Sequence, residues 1–339
     1  MQKKRPTIKD VAFYAGVSKS TVSLVLQSSP LVKDETRKTV QEAMGALNFV
    51  RNRAAATLRG SASGLIGLVI NDLRNPFFTE FATSAQMALS ARGYVTVIAN
   101  SNEDAALQEQ VIASILEHDV SALLISPSYG DSAQAVHAMT RDDVPVLQVL
   151  RKLDGADEAF PFLSLDYEAG GRLAVQHLLD QGVTEIAFVG GQEGRQITQE
   201  RMAGYLDLMA SHGLKTHIFA GRPTRAFGRG TALEIRRTHP EIQATLCFND
   251  LVALGMAAGF AQAQVTVGRD ILLVGFDDIE ECALVYPQLS SVRCDIESFG
   301  RLSAKMLIDW LETGVRPDAP SRVPVELIIR QSSQLDPSK

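Results

Sequence analysis

Two kinds of hydrophobic pattern follow each other along the chain. Up to about residue 50, apolar residues recur every three or four positions, which is typical of short helices that bury one face. From Gly64 onward, continuous apolar runs such as Leu65–Ile70 alternate with longer segments of helical spacing. Such runs are typical of buried parallel strands, so the alternation predicts an α/β body of doubly wound parallel sheets. The predicted strands cover residues 65–70, 94–99, 122–126, 145–149, 185–189, 217–220, 244–248 and 271–274, and the predicted helices cover residues 77–92, 107–118, 131–139, 169–181, 199–212, 229–238 and 250–263.

Three short helices are predicted in the N-terminal segment. The run Thr7–Asp10 begins the first helix with the spacing of a capping box, and Gly16 ends it. Ser18 is placed to cap a second helix over Lys19–Leu26, and a third is expected over residues 33–47. Two helices joined by a tight glycine turn, with a third packed behind them, form a helix-turn-helix module.

The charge is distributed unevenly between this segment and the rest of the chain. The whole chain carries a net charge of −6, which taken alone argues against a nucleic-acid partner. Residues 1–60, however, hold 11 basic and 4 acidic side chains, a net charge of +7, which leaves −13 on the remainder. A basic head on an acidic body is typical of a module that binds a polyanion. A three-helix bundle with a solvated charged face is the alternative that charge alone leaves open.

Composition and missing motifs exclude several classes of protein. A chain of 339 residues with 45% hydrophobic residues predicts two or three globular domains. Its apolar runs are too short to span a membrane, and its first ten residues lack the apolar segment of a secretion signal. We therefore expect a cytoplasmic, nucleoid-associated protein with no membrane partner. Three scattered cysteines fit neither a disulfide framework nor a zinc cluster, and no cofactor is expected.

Motifs of enzymes are also missing. The chain contains no P-loop, no H-E-x-x-H and no G-x-S-x-G motif, and Gly190–Gly194 misses the dinucleotide spacing. The six histidines are scattered and are expected to face solvent rather than to act in catalysis. The sequence thus favours a protein that is not an enzyme. An α/β enzyme with an appended head and a sugar-binding transport protein remain the alternatives; turnover of a sugar would favour the enzyme.

The head resembles that of the LacI/GalR family of transcription regulators. The matching runs are Thr7–Ala12, Ala15–Ser18, Ser20–Ser23, Glu35–Arg37 and Leu47–Phe49. The resemblance implies that the second helix enters the major groove of double-stranded operator DNA, a pseudo-palindrome bound by a homodimer. The residues assigned to this interface are Thr7, Lys19, Ser20, Thr21, Ser23 and Leu24. Lys19 and Ser20 would select the operator sequence, and Leu24 stands where a family member carries a guanine-reading arginine, so it can only touch a thymine methyl.

A helix-forming segment joins the head to the body. Asn52–Arg59 is alanine-rich but shorter than the ~12–15 residues that an isolated helix needs. In the family, paired hinge helices occupy the central minor groove, so the resemblance implies a hinge that folds on DNA. The residues expected to contact DNA there are Asn52, Arg53, Ala55, Leu58 and Arg59, with Leu58 wedged between base pairs. An inert tether is the alternative, and it predicts that Leu58→Ala leaves operator affinity almost unchanged.

Polar side chains follow the predicted strands of the body. Because ligands of open α/β sheets bind outside the carboxyl ends of the strands, these side chains predict a cleft that suits the hydroxyls of a sugar. The body contains the runs Asn75–Phe78, Arg201–Tyr205, Phe248–Asp250 and Val274–Asp278, with which it resembles the periplasmic-binding-protein-like core of the same family. That resemblance implies that Arg201, Asn249 and Asp277 hold the hydroxyls and that Phe78 stacks on the ring. The complete predicted effector site consists of Asn71, Phe78, Asn100, Ser126, Arg151, Arg201, Asn249 and Asp277.

Two readings of these side chains remain open. Asn249 is also placed to cap a helix, and Asp277 to shape a turn. Leu150 stands where several family members carry an aspartate, which implies a different pattern of recognised hydroxyls. The effector is expected to be a sugar or sugar phosphate, with a nucleobase as the alternative, and the sign of its effect is open.

The resemblance also implies a domain organisation. A DNA-binding head would cover residues 1–50, a hinge 51–62, and an effector-binding and dimerisation core 63–339. Within the core, an N-subdomain would take in about 63–163 and 293–323, and a C-subdomain about 164–290 and 325–339. The chain would cross between the subdomains near residues 162–164, 290–293 and 323–325. The expected function is that of a dimeric regulator, a repressor, whose operator affinity depends on a ligand in the cleft.

Overall fold

The structure is a computed structural model that describes residues 6–26, 29–49, 64–128, 139, 144–152, 160–318 and 321–335. The chain divides into two compact units, Met1–Ser63 and Gly64–Lys339, which we call the head and the core. The predicted hinge contacts Asn52, Arg53, Ala55, Leu58 and Arg59 lie outside the described residues, as does most of the helix predicted over 131–139.

The head contains three helices, as predicted. They are α1 (Ile8–Ala15), α2 (Lys19–Leu26) and α3 (Asp34–Ala46). The Thr7 backbone N–H donates to Asp10 Oδ2 at 2.7 Å, which forms the capping box of α1. Gly16 ends α1 in the left-handed conformation, with φ of 65°. The helices enclose a small apolar core made of Val11, Ala12, Val22, Val25, Val32, Val40 and Ala43.

The core contains two six-stranded sheets, with strands and helices numbered in chain order. The first sheet is wholly parallel, in the order β11-β5-β4-β3-β1-β2. Its strands are β1 (Leu65–Ile70), β2 (Val95–Asn100), β3 (Ala122–Ile125), β4 (Val146–Val149), β5 (Phe162–Leu165) and β11 (Ser321–Val323). The described helices that flank it are α4 (Pro76–Ala91), α5 (Ala105–Leu116) and α11 (Ile296–Thr313).

The second sheet has the order β12-β10-β9-β8-β6-β7. Its strands are β6 (Ile186–Val189), β7 (His217–Phe219), β8 (Ala244–Cys247), β9 (Leu272–Asp277), β10 (Ser290–Arg293) and β12 (Glu326–Ile328). The associated helices are α6 (Tyr167–Asp180), α7 (Gln196–Ser211), α8 (Arg225–Thr238), α9 (Asp250–Gln262) and the short α10 (Glu281–Leu284), and a 3₁₀ turn covers Gln331–Ser333. The predicted α/β class with a helical head and two sheet subdomains is therefore confirmed.

One strand departs from the all-parallel prediction. β12 pairs antiparallel with β10, with Ser291 opposite Ile328. The reason lies in the connection: β11 ends beside β5 at the carboxyl edge of the first sheet, and two residues later β12 begins. Since β12 enters the second sheet from the edge at which the parallel strands end, it runs against them. The other passages between the sheets follow β5 and β10.

Two histidines were expected at the surface and are buried instead. His177 on α6 contacts the Ser333 carbonyl at 3.0 Å and its hydroxyl at 2.8 Å through Nε2. Burial lowers the pKa of His177. His217 begins β7 and lies under the hydroxyl of Tyr205, which accepts from the His217 N–H at 2.9 Å. The sequence-based expectation was wrong for these two because the sequence does not show that a distant residue contacts the ring, Ser333 for His177 and Glu185 for His217.

Candidate functional site

A cavity of about 460 Å³ opens at the carboxyl edges of both sheets in the core. This size lies within the ~300–1,000 Å³ of typical small-molecule sites. Residues from loops after β1, β2, β4, β6, β7 and β8 line it, together with the end of β9. Its polar and charged lining consists of Asp72, Arg74, Asn75, Asn102, Glu103, Asp104, Arg151, Tyr167, Gln192, Arg195, Arg201, Arg222, Thr224, Asn249 and Asp277.

A buried ion pair forms the floor of this cleft on the side of the second sheet. Arg201 Nη2 on α7 lies 2.8 Å from Asp277 Oδ1 at the end of β9, and both side chains are at most 5% exposed. Arg201 Nη1 also donates to the Phe248 carbonyl at 2.6 Å. The guanidinium lies 4.4–4.8 Å from the ring centres of three aromatic residues: Tyr167, Phe248 and Phe276. A planar cation between aromatic faces is held in one orientation.

The electrostatics of the pair reflect its burial. Burial raises the pKa of Asp277 to about 6. The positive charges of Arg201 and, across the cleft, of Arg151 act in the opposite direction and lower it. Burial lowers the pKa of Arg201, but Asp277, Tyr167 and Cys294 together outweigh this effect and the net direction is upward. Arg201 Nε has no hydrogen-bond partner among the described residues, and a buried donor without a partner is rare in proteins.

A second ion pair stands on the side of the first sheet. Arg151, two residues after the end of β4, contacts Glu103 through Nη1 at 2.8 and 3.0 Å. Its guanidinium carbon lies 5.8 Å from the ring centre of Phe78, which is buried on α4 and lines the cleft. The two arginines therefore present donors from opposite subdomains, next to an aromatic face. The hydroxyl groups of a polyol can accept hydrogen bonds from the two guanidinium groups and donate hydrogen bonds to the flanking carboxylates.

Backbone strain is concentrated at the cleft. Leu150 has φ of 65° and Asp277 has φ of 112°, and both line the cavity. A non-glycine residue held in such a conformation costs about 1–3 kcal/mol, and such residues cluster at binding sites. Asn249 has the capping role that the sequence left open, since its Oδ1 accepts from the Val252 N–H at 3.0 Å, and it also lines the cleft.

Three residues of the predicted effector site are not among those that line the cavity. Asn71 and Ser126 are fully buried and hydrogen-bonded to each other, and Asn71 Nδ2 also donates to the Pro127 carbonyl at 2.7 Å. Asn100 accepts from the Asn102 N–H at 3.3 Å. The structure therefore brings together Phe78, Arg151, Arg201, Asn249 and Asp277. Asn71 and Ser126, which follow β1 and β3, and Asn100, the last residue of β2, are not part of this lining.

Several cleft residues were not assigned to the predicted effector site. Asp72, Gln192 and Arg222 lie within two or three residues of a strand end, the same signal that pointed to Asn71 and Asn100. Arg195 precedes α7, where its position in the loop after β6 places it in the cavity. The signal existed, but it did not show which of the residues after each strand faces the cleft.

The head presents a separate candidate surface on α2. Lys19 and Ser20 are exposed, as reading base edges requires, whereas Thr21, Ser23 and Leu24 are half-buried. Ser18 Oγ accepts from the Thr21 N–H at 3.0 Å and caps the helix. Thr7 is exposed, but its hydroxyl donates to Asp10. Phe13 and Tyr14, which sequence reasoning did not single out, are strongly exposed on α1 because they fall off its buried stripe.

Comparison with known proteins places both units. Residues 7–52 match the family described as bacterial regulatory proteins, lacI family, and residues 175–333 match the periplasmic binding protein-like domain. The maltose regulon regulatory protein MalI of Escherichia coli (strain K12) is 32% identical over 77% of this chain and 76% of its own. The ribose operon repressor of Bacillus subtilis (strain 168) is 28% identical over 97% of this chain and 98% of its own.

Solved structures agree with these relatives. The lac repressor dimer bound to operator and the anti-inducer ONPF superposes with a TM-score of 0.86 at 26% identity, covering 98% of this chain and all of that one. The transcriptional regulator CelR in complex with cellobiose has a TM-score of 0.72 at 26% identity, over 97% of this chain and all of that one.

The helix-turn-helix head and the periplasmic-binding-protein-like core define a DNA-binding transcription regulator. The chain belongs to the LacI family. Among the residues that the structure describes, no helix has the length and apolar character needed to cross a membrane.

Proposed function

We propose that this protein is a repressor whose affinity for operator DNA is set by a small ligand, a sugar or sugar phosphate, bound in the cleft. The observation that carries the proposal is the pairing of Arg201 with Asp277 opposite Arg151 at the edges of two sheets. Relatives support the ligand class, since one is named a ribose operon repressor and a structural neighbour holds cellobiose. Phe78 would supply the apolar face on which a sugar ring stacks.

The control mechanism follows from the position of the cleft. A ligand that contacts Arg151 and Arg201 together favours one angle between the subdomains, because the two arginines belong to different sheets. For repression to be relieved, the ligand must bind the conformation with low DNA affinity more tightly. A coupling free energy of ~1–3 kcal/mol is typical of such control, and it acts on both ligands equally.

We further propose a homodimer that binds a pseudo-palindromic operator with one α2 in each half-site. The edge strand β2 supports self-association, because Val95, Val97 and Ile98 are each more than 40% exposed on it. An unpaired strand edge with apolar side chains is unfavourable in an isolated chain and is normally covered. A pseudo-palindrome follows from the two-fold symmetry of such a dimer.

DNA recognition is tested by selecting a binding sequence from random duplex DNA and measuring affinity by fluorescence anisotropy at several salt concentrations. Lys19→Ala is expected to weaken binding by ~1–3 kcal/mol if the side chain reads a base. The matched control is Lys215→Ala, which removes an exposed positive charge from the core. Equal losses for both variants, or affinity that does not fall with salt, would contradict DNA recognition by α2, because phosphate contacts release counterions.

The ligand class is tested separately by thermal unfolding in the presence of sugars, sugar phosphates and nucleobases. A ligand that binds the folded protein raises the melting temperature. The same ligand should then change operator affinity in the anisotropy assay. If only nucleobases shift the transition, the sugar assignment of the cleft fails while the regulator assignment stands.

A further inference from the structure

A group of metal-ligating side chains lies at the opposite edge of the second sheet from the cleft. Glu185 comes immediately before β6, His217 begins β7, and Glu241 lies in the loop before β8. His239 caps the carboxyl end of α8. We call these four residues the amino-edge cluster, because the parallel strands β6, β7 and β8 begin beside it. The cleft lies where the same strands end, so the two sites are separated by the length of the sheet.

The geometry of the amino-edge cluster is close to that of a metal site. Potential ligand atoms of His217, His239 and Glu241 all lie within 4.8 Å of one another, and among the described residues this is the one such group of three. His239 Nδ1 is 3.2 Å from Glu241 Oε1. Two ligands on one tetrahedral zinc ion, with bonds of ~2.0–2.1 Å, stand about 3.3 Å apart. The His239–Glu241 separation therefore already fits, and the His217 ligand atom, within 4.8 Å of the other two, needs to approach by at most about 1.5 Å.

The surroundings of the cluster provide what a metal site needs. His217 Nε2 contacts Glu185 Oε2 at 2.8 Å. A carboxylate held against a ring nitrogen in this way orients metal-ligating histidines and raises their basicity. His217 is buried, whereas Glu241 is exposed, so an ion would enter from the solvent side.

We propose that His217, His239 and Glu241 bind a divalent transition metal ion of the zinc class, with Glu185 as the carboxylate that positions His217. Two imidazoles and a carboxylate suit Zn²⁺, Ni²⁺ or Cu²⁺, whereas Mg²⁺ and Ca²⁺ prefer all-oxygen sites. Water fills the fourth position of the ion. The three described cysteines are buried and do not compete.

Metal binding would join three segments that the fold otherwise holds by separate contacts. His217 belongs to the edge strand β7, which pairs with β6 alone. His239 and Glu241 fix the end of α8 and the turn into β8. An ion would therefore tie the edge of the second sheet to the loop beside it. We expect the C-subdomain to become more resistant to unfolding when the ion is bound, with no competition from a ligand in the cleft.

The test is titration of the full-length, untagged protein with ZnCl₂ by isothermal calorimetry, followed by Co²⁺ absorption spectroscopy to report the coordination geometry. Wild type should bind one ion per chain and give the visible spectrum of tetrahedral Co²⁺. His239→Gln and Glu241→Gln should each weaken Zn²⁺ binding at least tenfold, and Glu185→Gln by about 10–100-fold, as expected of a partner of a ligand. The matched control is His118→Gln, an exposed histidine at the end of α5 in the other subdomain, which should bind like wild type.

Circular dichroism of each variant confirms that it is folded, and His239 and Glu241 are accessible enough for substitution to leave the core intact. Zn²⁺ binding that is unchanged in both His239→Gln and Glu241→Gln would overturn the proposal, because it would place the ion elsewhere. Failure of the wild type to bind Zn²⁺, Ni²⁺ or Cu²⁺ saturably would overturn it as well. A rise in melting temperature with Zn²⁺ that disappears in Glu241→Gln would support it independently.

Discussion

Replacing Asp277 with asparagine should destabilise the core strongly, because it leaves the Arg201 guanidinium buried without its carboxylate. Both side chains are at most 5% exposed and their charged atoms are 2.8 Å apart. Removing one partner of a buried pair costs about 3–5 kcal/mol. The core spans residues 64–339, and an unfolding entropy of ~2.1 cal/mol/K per residue converts this loss into a fall in melting temperature of ~5–9 °C. Asparagine tolerates the positive φ at this position, so the loss reports the charge.

The assay is thermal unfolding of the full chain followed by near-ultraviolet circular dichroism. The matched control is Asp270→Asn, which breaks an Arg–Asp pair with the same 2.8 Å separation at the surface. Exposed pairs contribute little, so this variant should melt close to wild type. The double variant Arg201→Met with Asp277→Asn removes both charges and should recover much of the loss. Equal melting temperatures for Asp277→Asn and Asp270→Asn would refute the assignment of the stability to burial.

Three further predictions follow from the core. In Gly204→Ala, the new Cβ would lie 2.3 Å from Arg172 N and 2.4 Å from Glu168 O where α7 crosses α6, so the free energy of unfolding should fall by about 1–3 kcal/mol. The control Gly230→Ala adds its Cβ in open space on α8 and should not destabilise the protein. Comparable losses for both variants in urea unfolding would contradict the close contact between α6 and α7. Tyr205→Phe should cost about 1–3 kcal/mol, because the buried hydroxyl bonds the Ile186 carbonyl at 3.0 Å and the His217 N–H at 2.9 Å, while exposed Tyr286→Phe should be neutral in the same assay. Burial raises the pKa of Asp250 to about 8, above the ~3.9 of an unfolded aspartate. Its contribution to stability is therefore present below about pH 4 and is lost as pH rises toward 8. The melting temperature of Asp250→Asn should accordingly rise relative to that of wild type from pH 5 to pH 8, and a difference that stays constant with pH would contradict the raised pKa.

Local structure was largely predictable because the signals for it are local. Leu65–Ile70 is an uninterrupted apolar run, and the strand has the predicted bounds. Helices α6, α7 and α8 begin two to four residues earlier than predicted, because the apolar spacing alone does not show where the cap of a helix lies. In α8, for example, the Thr224 hydroxyl caps the helix at the Phe227 N–H, ahead of its apolar stripe. The 18-residue helix α11 was missed, although Phe299, Ser303 and Leu307 recur on one buried face.

The cleft was predictable as a region but not residue by residue. The carboxyl ends of the predicted strands were placed to within one residue, except for β9, which ends three residues later than predicted. A step of one residue nevertheless turns a side chain to the other side of a sheet. Asp72 therefore lines the cavity while Asn71, its neighbour, is hydrogen-bonded to Ser126 behind it. The ion pair of Arg201 with Asp277 joins residues 76 positions apart, and no local pattern reports such a contact.

The way the chain passes between the sheets affects its biosynthesis. β11 completes the first sheet by pairing with β5, and Ser321 lies opposite Leu163, 158 residues earlier. At a synthesis rate of ~5–20 residues per second, β5 leaves the ribosome roughly 8–30 s before its neighbour exists. The edge of the first sheet at β5 therefore stays unpaired while the second sheet is being synthesised. Neither subdomain is formed from one continuous stretch of the chain, so neither can fold completely before the C-terminal strands have been synthesised. A C-terminal truncation before residue 321 would leave the first sheet without β11.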